Sequence, residues 1–291
     1  MTIGSYIKNG GTVMYKTILV HIDGTARSAQ RAELASRLAV LYAAHLVGAA
    51  MTGLRSYLLP VGEYGVGFDA PGLAVAQVRA DANRALDLFE SCARGAGVAS
   101  VERRCIDEEP GMGISMQARY CDLVVISQSA PGEFLPRLRS DFPDYVVLNS
   151  PRPVLVLPAQ GGADTLGQRI TVAWNGSPEA ARAVASAIPM LQRAQQVDLV
   201  VFDPATEGAI HGEDPGADIA LYLARHGIRV EVSTSDAGVD GGHALLSFAQ
   251  KKSSDLIVMG AYGHTRLIER ILGGATRGLM ESTPAPVLMS H

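Results

Sequence analysis

Short apolar runs recur along the chain, each bounded by Gly, Pro, Asp or Asn. The clearest are Ile18-Leu19-Val20, Leu123-Val124-Val125-Ile126, Val154-Leu155-Val156-Leu157, Ile170-Thr171-Val172 and Leu256-Ile257-Val258-Met259. Runs of this length without strict alternation read as strands buried on both faces. Between them lie amphipathic, often Ala-rich stretches with helical spacing, such as Ser28–Ala43, Leu73–Ala96, Gly111–Tyr120, Pro178–Gln192, Ala217–His226 and Gly241–Lys252. Further strands are expected at Leu46–Met51, Val101–Ile106, Asp198–Phe202 and Arg229–Thr234. Strands alternating with helices predict a mainly parallel sheet covered on both faces.

The pattern occurs twice. Asp122–Ile126 repeats as Asp255–Met259, and Pro153–Leu157 as Pro286–Ser290, both at an offset of 133 (255 − 122; 286 − 153). Ile18-Leu19-Val20 repeats as Ile170-Thr171-Val172 at an offset of 152 (170 − 18), so the first copy carries 152 − 133 = 19 extra residues. Their expected home is the Gly/Pro/Tyr-rich stretch Arg55–Pro71. The expectation is an α/β chain of two tandem, doubly wound, five-stranded, mainly parallel sheet domains at residues 15–159 and 168–291, with Gly161–Asp164 as linker. The last strand of each copy opens on Pro-x-Pro (Pro151–Pro153; Pro284–Pro286), which suits an edge. Two exposed Val/Leu-rich edges would invite aggregation. Pairing them with each other across a pseudo-twofold axis removes both.

Composition narrows the classes. The 291 residues are 47% hydrophobic with a net charge of −4 and a pI of about 6.0. That is a globular composition, without the basic face of a nonspecific nucleic-acid binder. Cys92, Cys105 and Cys121 show no CxxC spacing, which fits a reduced, cytoplasmic protein with buried thiols. No apolar run is long enough to cross a bilayer, and Met1–Met14 reads as a loose tail rather than a signal sequence.

The richest motif leaves the fourth strand of the second copy. Gly260-Ala261-Tyr262-Gly263 is followed, nine residues on, by Gly273-Gly274-Ala275-Thr276. Glycines leaving a strand let a ligand approach the backbone, and amides at a helix start hold phosphate oxygens. His264 and Arg266 would add positive charge. The spacing is neither GxxxxGK[ST] nor GxGxxG.

Gly-x2-Gly-x9-Gly with Thr276 beyond it resembles the nucleotide loop of the universal stress protein family, and the resemblance covers both copies from about Tyr15 to His291. It implies an adenine nucleotide alpha-hydrolase-like fold and, in many members, ATP binding without a P-loop. Gly260, Gly263 and Gly273 fall in place. Gly274 stands where the family has Ser or Thr, and Ala275 and Thr276 complete the phosphate side. The family's Asp after the first strand is Asn175 here. Ala173, Phe202 and Met259 would line the base. The residues alone read Asn175-Gly176-Ser177-Pro178 equally well as a turn with Ser177 as helix N-cap.

The first copy keeps an Asp, as Asp23, but has Ser127 and Ala130 for the glycines and Arg137–Pro143 for the double glycine. Pro143 lacks an amide that a phosphate loop would use. Its site reads as degenerate, Asp23 as a turn former, and Arg137 and Arg139 as a solvated face. His211-Gly212-Glu213-Asp214 and Asp240-Gly241-Gly242-His243 lack the ligand spacing of a zinc site, and no Gly-x-Ser-x-Gly elbow is present.

Taken with these readings, the resemblance implies a cytoplasmic stress or regulatory protein that binds ATP or AMP, with or without Mg, in its second copy, with slow turnover or none. It would have an unidentified protein partner and no nucleic-acid or membrane partner. A homodimer of the tandem chain is left open. The rivals are a nucleotide-independent protein-interaction module and an adenylating α/β enzyme.

Overall fold

The computed structural model describes residues 14–54, 72–129, 141–159, 165–202, 214–236, 241–261 and 283–291. Several predicted features lie outside them: the tail before Met14, Arg55–Pro71, Ala130 with Arg137 and Arg139, the Gly161–Asp164 linker, His211–Glu213, Asp240, and the loop from Tyr262 through Thr276.

The first half runs β1 (Thr17–Ile22), α1 (Ala26–Tyr42), β2 (His45–Met51), α2 (Gly72–Gly95), β3 (Val101–Ile106), α3 (Pro110–Gln117) with a 3-10 turn at Ala118–Tyr120, β4 (Leu123–Ser127), α4 (Phe142–Asn149) and β5 (Val154–Leu157). The second half runs β6 (Arg169–Trp174), α5 (Pro178–Leu191), β7 (Gln196–Phe202), α6 (Ala217–Arg225), β8 (Glu231–Ser235), α7 (Gly241–Lys251), β9 (Leu256–Gly260) and β10 (Val287–Ser290). The expected elements that fall on the described residues are present, with ends shifted by a few residues, while the helix expected after β9 lies outside them.

All ten strands join one sheet in the order β3-β2-β1-β4-β5-β10-β9-β6-β7-β8. Neighbours within each half are parallel, as between β1 and β2 and between β6 and β7. The halves meet where β5 and β10 pair antiparallel, with Leu155 opposite Leu288. Those two residues are repeat counterparts (288 − 155 = 133), so the pseudo-twofold axis passes between them. The two apolar edges cover each other as the sequence implies. The outer strands are the polar ones: β3 reads VERRCI and β8 reads EVSTS, each alternating toward solvent. Charged edges resist pairing with further chains.

Buried residues form a cluster on each sheet face, and each cluster contains residues of both halves. One joins Ile18, Leu38 and Leu155 to Val172, Met190 and Leu288. The other joins Val124, Ile126 and Val146 to Ile257, Met259 and Val287. The thiols depart from expectation. Cys121 is buried, but Cys105 is exposed, because it lies on the outer strand β3. Burial pushes the Cys121 thiol up to about 12, so it is inert at neutral pH. No helix among the described residues is long and apolar enough to cross a membrane.

Candidate functional site

Each half has the strand order 3-2-1-4-5, which reverses direction between its first and fourth strands. Ligands of open α/β sheets bind outside the C-terminal ends of the strands at such a switch. In the second half the switch lies between β6 and β9. Ala173 belongs to the end of β6, Asn175 follows it, and Met259 and Gly260 end β9 beside it. Phe202 ends β7, on the other side of β6.

Ala173 and Phe202 pack, half-buried, against the apolar cluster that holds Met259. Met259 is itself a core residue, 1% exposed. The structure thus brings together five of the expected site residues: Ala173, Asn175, Phe202, Met259 and Gly260. Gly263, His264, Gly273, Gly274, Ala275 and Thr276 lie outside the described residues.

Gly260 has a local reason to be glycine. A Cβ there would lie 2.5 Å from the Ala180 amide nitrogen and 2.8 Å from Glu179 Cβ. Only glycine lets the first turn of α5 come this close to the end of β9. That turn starts as expected: Ser177 is the N-cap, its Oγ accepting from the Ala180 amide at 3.1 Å, and Pro178 follows. Asn175 Oδ1 accepts from the Ser177 amide at 3.2 Å, so Asn175 also shapes this turn.

Three residues beside Gly260 carry no motif. The buried Glu179 lies 2.8 Å from Arg182 Nη2, and Arg182 Nε donates to the His291 carbonyl at 3.0 Å. His291 Nδ1 lies 3.0 Å from the Ala261 carbonyl. Burial would raise the Glu179 carboxyl. Its own amide, then Arg182 and His291, outweigh this and hold it low. In the sequence these three read as a helix-start acid, a solvated cation and the end of a strand, and only the fold places them around one glycine.

The first half fills the same place. Arg31 on α1 is 2% exposed, and its guanidinium reaches three partners at the switch point. Nε donates to the His21 carbonyl at 2.8 Å, Nη1 donates to Ser127 Oγ at 3.0 Å, and Nη2 lies 2.8 Å from Asp23 Oδ2. Arg27 Nη1 donates to the Gln128 carbonyl. Asp23 also accepts from the Thr25 amide at 2.9 Å. The turn-former reading of Asp23 is therefore incomplete, since the same carboxylate is half of a buried ion pair.

Burial would raise the Asp23 carboxyl. Arg31 beside it, then His21 and Thr25, hold it far below the usual carboxylate range. His21, its ring tilted against that of Phe142 with centroids 4.8 Å apart, is lowered to about 4, chiefly by burial and further by Arg31 and Arg27, against the pull of Asp23.

At the offset of 152 this cluster is dismantled in the second half. His21 becomes Ala173 (173 − 21), Asp23 becomes Asn175, Ser28, whose Oγ accepts from the Asp23 amide at 3.2 Å, becomes Ala180, and Arg31 becomes Ala183 (183 − 31). Ser127 becomes Gly260 at the offset of 133 (260 − 127). One switch point is packed with charged side chains, whereas at its twin the counterparts are small except for Glu179, which stands at the place of Arg27 (179 − 27 = 152) and is paired with Arg182.

A doubly wound α/β protein with two such switch points, one filled and one lined by small residues, is the class that fold and site define. The sequence profile of the Universal stress protein family matches residues 14–158 and again 167–291. The chain belongs to that family, with two of its domains in tandem. A universal stress protein from Archaeoglobus fulgidus is 17% identical, each chain covering 94% of the other, with a TM-score of 0.70. A functionally unknown protein from Pseudomonas aeruginosa is also 17% identical, over 94% of this chain and 92% of its own, with a TM-score of 0.56. These two likenesses concern the fold. A universal stress protein from Archaeoglobus fulgidus in complex with dAMP is 20% identical over 50% of this chain and 98% of its own, with a TM-score of 0.34. No curated protein matches the chain at a significant level.

Proposed function

We propose that this chain is a stress-response or regulatory protein that binds one adenine nucleotide, ATP or AMP, in its second domain. We take the domains as residues 15–159 and 168–291. The observation that carries the reading is the contrast between the switch points. Arg31, His21, Asp23 and Ser127 occupy the first, while Ala183, Ala173, Asn175 and Gly260 leave the second without the Arg31–Asp23 ion pair.

In this reading the base lies by Ala173, Asn175, Phe202 and Met259. The phosphates lie on the amides of Gly260, Gly263, Gly273, Gly274 and Ala275, with His264 and the Thr276 hydroxyl beside them. Among the described residues no group of three or more His, Cys, Asp or Glu could hold a metal. The reading assigns no general base, so the nucleotide acts by occupancy rather than turnover.

Calorimetric titration with ATP and with AMP tests this, on the wild type and on Gly263→Asp. Saturable heat in the wild type that is lost in the variant is expected. No heat with either nucleotide contradicts the proposal.

A second reading, a protein-interaction module, has its own observation. Met112, Met116 and Tyr120 form an exposed apolar stripe along α3 and the turn after it. Matching buried Ile114 and Ala118 to buried Leu245 and Ala249 (an offset of 131) puts His243, Ser247 and Lys251 at the same places in the second half. The stripe is apolar in one copy only, which fits a protein partner docking on the first domain.

A further inference from the structure

A cavity of about 340 Å³ lies between the two halves, at the opposite end of the sheet from the switch points. Its walls include Leu38, Leu41 and Tyr42 of α1, Gly167 just before β6, Met190 of α5, and Arg193 just past that helix. The repeat explains why it is there. The Lys16 and Thr17 amides donate to the Asp122 carboxylate, and the Gln168 and Arg169 amides donate to Asp255 in the same way. That fixes the offset at 152 (168 − 16), so Gly167 is the counterpart of Tyr15.

Tyr15 is buried between α1 and α5. Its ring sits edge-on to Tyr42 with centroids 5.1 Å apart, and its hydroxyl donates to the Ser186 carbonyl at 2.8 Å. Across the axis Gly167 has no side chain, and the place of Tyr42 falls past the end of α5, at Arg193 or Ala194, neither of them aromatic. Two rings on one side have no equivalents on the other. Gly167 is held at φ +76, where a side chain is strained. The nearest atoms to a Cβ there are Ile170 Cδ1 at 3.9 Å and Met190 Cβ at 4.0 Å, so neighbours have not closed over the space.

We propose that this cavity is a binding site for a small aromatic acid, its ring standing where Tyr15 stands across the axis and its acid group paired with Arg193. Leu38, Leu41, Met190 and the Tyr42 ring supply apolar surface, and Gln168, Gln192 and Arg193 supply polar groups, which together suit a flat ring bearing an acid. The charge of Arg193 reaches the cavity. Burial pushes the Tyr42 phenol up to about 12, and Arg193 opposes that rise. The volume is near the lower end of small-molecule pockets, roughly 300 Å³, which suits a ligand of one or two ring systems. Gly167 precedes β6 and the nucleotide crevice follows it. The two sites are separated by the length of that strand, about 20 Å, and are independent.

The probe is 8-anilinonaphthalene-1-sulfonate, titrated into the full chain by calorimetry. One saturable site per chain is expected, unaffected by ATP. Leu41→Trp fills the cavity at a position already 44% exposed, so the fold tolerates it, and weakens the dye by about tenfold or more. Arg193→Glu, at an exposed position, weakens it by a similar factor. The same substitution leaves the uncharged N-phenyl-1-naphthylamine within about twofold of wild type. Absence of saturable binding would overturn the proposal. So would dye affinities unchanged in both variants, which would place the dye on the Met112–Tyr120 stripe.

Discussion

At the residue scale the two halves differ most in what they bury. Arg31 and Asp23 are charges taken out of water, tolerable because each meets the other and because His21, Ser127 and Thr25 supply the remaining bonds. His21 shares this environment and is held neutral, with its proton affinity lowered from 6.5 to about 4. An unfolded chain binds a proton at this histidine below about pH 6.5, whereas the folded chain does not until about pH 4. The unfolded state therefore gains protons first, and stability falls as pH drops through that window. From about pH 7.5 to about pH 4.5 the loss attributable to His21 is about 2 to 3 kcal/mol. Asp23 adds nothing there, because its carboxyl protonates in the unfolded chain only below about pH 4. Urea titrations at the two pH values measure the loss, and His21→Gln is expected to flatten it. An equal pH dependence in wild type and variant would contradict the account of this cluster.

At the element scale the antiparallel seam carries the argument. β10 is held on one side by β5 and on the other by β9, so its backbone amides are committed to a ladder. Proline at Leu288 removes one such donor in a central strand and is expected to cost about 1–3 kcal/mol for the buried acceptor left unpaired. Because both apolar clusters run through the seam, the halves should unfold together. Trp174 reports on the second half and far-UV circular dichroism on the whole. Their wild-type urea transitions are expected to coincide, and Leu288→Pro is expected to lower both midpoints. Separate transitions in the wild type would show that the halves are independent.

This seam was legible in the sequence. Two Val/Leu-rich strands at one repeat offset, each opening on Pro-x-Pro, had no other economical cover. The exposed Cys105 was not legible, because a thiol in a short strand reads as buried until the strand is known to lie at the sheet edge.

At the scale of the whole molecule, duplication has produced two unlike halves. The glycine spacing after β9 singled out the second domain because it is a linear motif. The plug in the first domain is not linear. Arg31 reads in the sequence as a polar position on an Ala-rich helix, and only the helix's approach to the ends of β1 and β4 turns it inward. Gly260 was legible as a loop glycine, but its close contact with the start of α5 was not, because that contact joins segments about eighty residues apart. The cavity opposite Tyr15 was hidden for the same reason.

The central claim is one competent nucleotide site in a two-domain chain. The stoichiometry of ATP or AMP bound per chain, measured by calorimetry on protein stripped of any copurified nucleotide, tests it most directly. One nucleotide per chain is expected. Two would show that Arg31 does not close the first site, and none would show that the small residues of the second do not make one.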